Sequence, residues 1–177
     1  MSDEVSLQPW TADDLPVLQR TNTPRMTAFL GGPETAEKLV ERNERYRHGW
    51  ETGDSAMFTI RLAGEPDAVG TIGYWPATWH DGDVYETGWG VTEPFQGRGV
   101  ASRALAAVLR HAAEHGDRAL ILAFPRVDNA ASNALCRSAG FVHHGEEDFE
   151  YPKGHPIRVN AWAYDLQAVR SPSRGLG

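Results

Sequence analysis

Short stretches of the chain alternate apolar and polar residues, as strands with one buried face do. The clearest stretch runs from Met57 to Leu62 and ends at a Gly-Glu-Pro-Asp turn. The residues at 118–124 are almost all apolar, which is typical of a strand buried on both faces. Seven strands are predicted in this way, at 5–10, 57–62, 69–79, 84–91, 118–124, from Phe141 onward and at 157–166.

Other stretches repeat apolar residues at helical spacing. Helices are predicted from Thr11, from Pro33 to Trp50, from Val100 to Gly116 and from Asn129 to Ala139. The order is a strand, two helices, three strands, a helix, a strand, a helix and two strands, which predicts an α/β (α+β) fold built on a mixed sheet. We expect a single domain at 1–168 and a flexible tail at 169–177, where the composition is that of a linker.

Composition limits the classes of function. The chain of 177 residues is 41% hydrophobic, enough for one domain with a core, and its net charge of -7 argues against nucleic-acid binding. A lone cysteine, Cys136, excludes an internal disulfide and a multi-cysteine zinc site. There is no apolar run long enough to span a membrane and no signal-peptide pattern, so we expect a cytoplasmic protein without membrane or nucleic-acid partners.

A glycine-bearing loop, Gln96-Gly-Arg-Gly99, lies between a predicted strand and a long amphipathic helix. Backbone N–H groups at a helix start have no partner within the helix, and the helix dipole adds positive charge, so such an element can bind phosphates. The Walker motif is absent, and Ser102 stands where a dinucleotide fingerprint needs Gly or Ala. A plain strand-to-helix turn is the alternative interpretation.

Three motifs together resemble the GNAT acetyltransferase superfamily. The run from Gln96 to Ala101 fits its Gln/Arg-x-x-Gly-x-Gly/Ala signature, and Asn129, Ser132 and the later Gly-Phe pair at 140–141 resemble its downstream segment. The stretch Glu86-Thr-Gly-Trp-Gly-Val is similar to a strand of the ribosomal-protein N-terminal (RimJ/RimL-type) acetyltransferase branch. The resemblance implies a mixed, mostly antiparallel sheet of six to seven strands with helices on both faces.

The resemblance also implies acetyl-CoA as co-substrate and no metal. Its pyrophosphate would lie on backbone N–H groups of the glycine loop, its pantetheine arm along the strand edge, and its thiol near the downstream helix. The residues implied in acetyl-CoA binding are Val91, Gln96, Gly97, Arg98, Gly99, Val100, Ala101, Ser102, Asn129 and Ser132.

Two side chains are candidates for acid–base catalysis. Strand parity places Glu86 on one face with Gly88 and Gly90, a face that is bare enough for a ligand, so Glu86 is the candidate base. The alternative is an exposed glutamate paired with a surface arginine. The resemblance implies that Ser132 protonates the leaving thiolate. A serine that only satisfies its own helix, or a proton donor at Tyr151 or Tyr164, remains an alternative.

The predicted function is that of an N-acetyltransferase that moves the acetyl group directly to a primary amine, on a protein N-terminus or a small molecule. The oxyanion donor would be a backbone N–H, that of Val91. The alternative is a non-catalytic domain that binds or senses coenzyme A on the same fold. The acceptor, and whether the protein is a monomer or a homodimer, are left open by the sequence.

Overall fold

The computed structural model describes residues 3–170, which form one seven-stranded sheet and five α-helices. The strands are β1 Val5–Pro9, β2 Ala56–Leu62, β3 Gly70–Trp79, β4 Gly82–Val91, β5 Leu120–Ala123, β6 Val142–Glu150 and β7 Pro156–Asp165. The helices are α1 Leu15–Thr21, α2 Ala36–Thr52, α3 Val100–His115, α4 Ala130–Ser138 and α5 Leu166–Arg170. No helix among these residues has the length and apolar composition needed to cross a membrane.

The strand order is β1-β2-β3-β4-β5-β7-β6. Every neighbouring pair is antiparallel except β4 and β5, which are parallel and are joined through α3. This agrees with the rule that parallel neighbours need a crossover while antiparallel neighbours can follow a short turn. The prediction of a mixed, mostly antiparallel sheet is therefore confirmed.

Helices cover both faces of the sheet. On one face, α3 packs Ala104 and Leu105 into a core that contains Ile60 and Ile72 and that also receives α4. On the other face, Leu18 of α1 and Leu39 of α2 pack around Met57. The alternation of side chains along β2 explains this division, because Met57 and Phe58 point to opposite faces.

The predicted start of α2 is wrong. Helix α2 begins at Ala36 and not at Pro33, because the Thr35 hydroxyl accepts a hydrogen bond from the Lys38 N–H and caps the helix there. Helix α5 runs to Arg170, two residues into the predicted tail at 169–177, and the Arg170 guanidinium donates to carbonyl oxygens around the end of α3. The rest of the predicted tail, 171–177, lies outside the described residues.

Candidate active site

A gap opens between β4 and β5 in the middle of the sheet. The two strands pair only at Tyr85 with Ile121 and at Glu86 with Leu122. Strand β4 then continues to Val91, still paired with β3 but with no strand on its other side among residues 3–170. The backbone edge of this segment can therefore bind an extended ligand.

The pairing of β3 and β4 fixes where the Val91 backbone points. The Thr92 N–H donates to the Val69 carbonyl at 2.8 Å, and bonded and non-bonded pairs alternate along an antiparallel ladder. The next pair, Gly70 with Val91, is then a non-bonded one, so the N–H and C=O of Val91 point away from β3 into the gap. The carbonyl accepts a 2.8 Å hydrogen bond from Gln96 Nε2, which fastens the glycine loop to the strand.

The glycine loop leaves the first turn of α3 open. Gly97 and Gly99 both have positive φ, at 71° and 75°, a conformation that glycine adopts without steric cost. Gly99 is the N-cap residue, so no side chain caps the helix, and the N–H groups of its first turn have no partner within it. A Cβ added at Gly97 would meet no atom within 4 Å, which leaves the space beside the loop free for an anion.

Arg98 points elsewhere. Its guanidinium donates to Asp3 at 2.8 Å and lies over the ring of Phe95, and its side chain does not line the cavity described below. The sequence could not show this pairing, because Asp3 and Arg98 are 95 positions apart.

Glu86 lies half-buried on the face predicted from strand parity. Its cross-strand neighbour is Trp75, whose ring covers Gly88 so closely that a Cβ there would lie 3.2 Å from it. Burial raises the pKa of Glu86 from 4.5 to about 7, and the adjacent Trp75 side chain opposes part of this shift. Glu86 forms no ion pair with a described residue, in contrast to the alternative of a surface pair.

Helix α4 forms the opposite wall of the gap. The Asn129 side chain caps this helix by accepting a hydrogen bond from the Ser132 N–H at 3.2 Å. The cap uses the backbone of Ser132 and not its hydroxyl. The hydroxyl is therefore available to a ligand. This differs from the alternative interpretation, in which the serine hydroxyl bonds only within its own helix.

One cavity of about 1650 Å³ joins these elements. All the predicted site residues except Arg98 line it, namely Glu86, Val91, Gln96, Gly97, Gly99, Val100, Ala101, Ser102, Asn129 and Ser132. Tyr151 also lines it, whereas Tyr164 packs against Phe141 in the core.

Sequence reasoning missed the wall formed by α2, which brings Lys38, Arg42 and Arg45 to the cavity. No group of His, Cys, Asp and Glu side chains within 3–170 is arranged to hold a metal ion.

Three solved structures with a similar fold are described as acetyltransferases. The chain is similar to an acetyl transferase from Salmonella typhimurium that modifies the N-terminal serine of 50S ribosomal subunit protein L7/L12, with 24% identity, a TM-score of 0.76 and coverage of 93% of this chain and 96% of that one. It is similar to RimL, a ribosomal L7/L12 α-N-protein acetyltransferase, in complex with coenzyme A, at 24% identity, TM-score 0.77 and coverage of 94% and 97%. The microcin C7 self-immunity acetyltransferase MccE, in complex with acetyl-CoA and AMP, matches at 18% identity, TM-score 0.76 and coverage of 93% of both chains.

No curated protein matches the chain. The sequence itself matches a family, however, over residues 4–142, which include the glycine loop, the open segment of β4 and α4. The description of that family is "Acetyltransferase (GNAT) domain", in agreement with the resemblance carried by the three motifs. The chain belongs to the GNAT acetyltransferase family.

Proposed function

We propose that this protein is an acetyl-CoA-dependent N-acetyltransferase that moves the acetyl group directly to a primary amine. One observation carries the proposal: the uncapped start of α3, the open edge of β4 and the half-buried Glu86 line the same cavity. Phosphate binding, acyl positioning and proton removal are the three tasks of such an enzyme, and each has a group here.

The donor side of the cavity fits coenzyme A. Backbone N–H groups from Gly97 to Ser102 would hold the pyrophosphate, since the glycines leave space beside them and no side chain competes as a cap. The open edge of β4 offers the Val91 N–H to the pantetheine arm or to the oxyanion that develops on the acetyl group. Asn129 and Ser132 line the opposite wall.

Glu86 is the proposed base, and Ser132 is the proposed acid. A pKa of about 7 makes Glu86 a better match to an amine than an ordinary carboxylate. Proton transfer from an α-amine, whose pKa is about 8, would then be uphill by roughly 1 kcal/mol, against about 5 kcal/mol for a lysine amine. This difference favours an N-terminal amine or another amine of low pKa. Ser132 would donate a proton to the thiolate as it leaves.

Direct transfer is favoured over a cysteinyl intermediate. Cys136 is the one cysteine of the chain, is fully buried in the core and has a pKa raised to about 12 by burial. A thiol in that environment is neither ionised nor accessible to acetyl-CoA.

The experiment that tests this proposal is a screen of amines with acetyl-CoA. Peptides with free N-termini, amino acids and polyamines are incubated with the protein, free thiol is measured, and the products are identified by mass spectrometry. We expect thiol release that depends on the amine, together with one acetylated product per thiol. Binding of acetyl-CoA by calorimetry without thiol release for any amine would instead support the non-catalytic, sensing function.

A further inference from the structure

The face of α2 that forms a wall of the cavity carries only basic charge. Lys38, Arg42 and Arg45 follow the helical spacing i, i+4 and i+7 and line the cavity together. We call these three residues the basic stripe. The acids of the same helix do not line the cavity: Glu37, Glu41, Glu44 and Glu51. The helix therefore turns three of its four Lys and Arg side chains toward the cavity, while Arg47 pairs with Glu44 and Glu51 on the other side.

Arg42, at the centre of the basic stripe, has an unused donor. One of its Nη atoms donates to the Tyr46 hydroxyl at 3.1 Å and the other forms an ion pair with Glu34. Its Nε atom is buried and has no hydrogen-bond partner among the described residues. This atom is closed to solvent, so Arg42 contributes to the wall through its guanidinium charge and its contacts with Tyr46 and Glu34.

The other two cations carry free charge. Arg45 rests on the ring of Tyr46, and neither Arg45 nor Lys38 forms an ion pair with a described residue. Two acids lie near this wall, Glu34 and Asp54. Glu34 is already paired with Arg42, and Asp54 accepts a hydrogen bond from Thr52. The wall keeps an excess of positive charge, although the whole chain has a net charge of -7.

The basic stripe lies on the acceptor side of the sheet. Helix α2 packs on the face that contains Met57 and Trp75, and Glu86 points to that face beside Trp75. The first turn of α3, where the pyrophosphate is proposed to bind, packs on the opposite face through Val100. The cations of α2 are thus placed for the molecule that carries the amine.

We propose that the acceptor is a primary amine on an anionic molecule, foremost the N-terminus of an acidic peptide. Lys38 and Arg45, which are exposed and unpaired with any described acid, would bind its negative groups while the amine reaches Glu86. This inference rests on the proposed acetyltransferase function. Complementary charge of this kind raises the rate of association and selects among substrates, and its effect falls as salt is added.

Three peptides test the inference. They share their first residues and carry Glu, Gln or Lys at the following positions, and O-phosphoserine serves as a small anionic amine. We expect kcat/KM to fall in the order Glu, Gln, Lys, with about tenfold or more between the extremes at low salt and a smaller ratio at high salt. A higher kcat/KM for O-phosphoserine than for the Glu peptide would support the anion site but would identify a small anionic amine, and not a peptide, as its substrate. Equal rates for the three peptides, or a preference for the Lys peptide, would overturn the inference.

Charge-reversal variants locate the effect. Arg45→Glu and Lys38→Glu should each raise KM for the Glu peptide about tenfold, with little change in KM for acetyl-CoA. Arg110→Glu makes the same change on the exposed surface of α3, away from the cavity, and should leave both KM values unchanged. An equal rise in KM for acetyl-CoA in Arg45→Glu would assign the basic stripe to the cofactor's phosphates and contradict the inference.

A binding measurement separates the proposed acetyltransferase activity from the proposed anion site. Calorimetry with the Glu peptide and coenzyme A, without transfer, should show binding to the wild type and weaker binding to Arg45→Glu. If no peptide is acetylated but this difference is present, the proposed activity fails and the anion site stands. If peptides are acetylated without regard to charge, the activity stands and the anion site fails.

Discussion

The carboxyl group of Glu86 is partly shielded from water beside Trp75, and this partial burial sets its chemistry. Above pH 7 it is ionised and can take a proton. Glu86→Gln keeps the size of the side chain but removes the base, so the rate of transfer should fall by about 10² to 10⁴ at neutral pH. The defect should shrink as pH rises, because an amine that is already deprotonated needs no base. Initial rates from pH 6.5 to 9.5 check this prediction, and a rate near wild type throughout would exclude Glu86 as the base.

The same burial makes a prediction about stability that does not depend on activity. The pKa of Glu86 is about 7 in the folded protein against 4.5 for a solvated glutamate, so the folded state holds the proton more tightly. This contribution to stability is fully present below pH 4.5 and is lost as pH rises to 7. Glu86→Gln should therefore gain stability relative to wild type between pH 5 and pH 8, measured as the difference in Tm. A constant difference across that range would show that the carboxyl is solvated.

The proposed role of Ser132, proton donation to the thiolate, arises only as the thiolate leaves. Ser132→Ala should lower kcat by roughly ten- to a thousandfold and change the Kd of acetyl-CoA little, because water can still donate the proton. The cap of α4 should survive, since it uses the Ser132 N–H and the Asn129 side chain. Kd by calorimetry and kcat from thiol release separate these quantities. An equal loss in both would make Ser132 a binding residue and not a proton donor.

At the level of elements, the proposed phosphate site is the junction between the glycine loop and the first turn of α3. Gly97→Asp places a carboxylate in open space beside the loop, at a positive φ that aspartate tolerates better than most residues. We expect the fold to persist and acetyl-CoA binding to be lost, through charge repulsion and occupied space. Gly99→Glu should also abolish binding, but glutamate is strained at the φ of 75° there even though its first carbon makes only ordinary contact with Arg103, so its fold is checked first. Circular dichroism checks the fold and calorimetry the binding, and unchanged affinity in either folded variant would refute the site.

Elements with a strong periodic pattern could be predicted, and those held by distant contacts could not. The stripe of α3 and the parity of β4 come directly from the sequence, and both are found in the structure. Helix α5 has only five residues, and its order depends on the hydrogen bonds that Arg170 donates to the end of α3. Such contacts join positions more than fifty residues apart, so no local sequence pattern predicts them.

The wall formed by α2, which is the proposed acceptor side, shows the same limit at the scale of the whole molecule. The sequence places glutamates and basic residues side by side along α2, and only the packed structure shows which of them turn toward the cavity. A net charge of -7 describes the surface as a whole and gives the wrong sign for this wall. The glycine loop, by contrast, could be recognised from the sequence because its residues are contiguous, from Gln96 to Ser102.

The most direct test of the whole account is two-substrate kinetics combined with mass spectrometry of the protein. Both substrates must be present in one cavity for direct transfer, so double-reciprocal plots at several amine concentrations should intersect. Free thiol and acetylated amine should appear in equal amounts, and the protein should keep its mass when incubated with acetyl-CoA alone. Parallel lines together with an acetylated protein would contradict direct transfer, and acetyl-CoA binding without any turnover would contradict the enzyme itself.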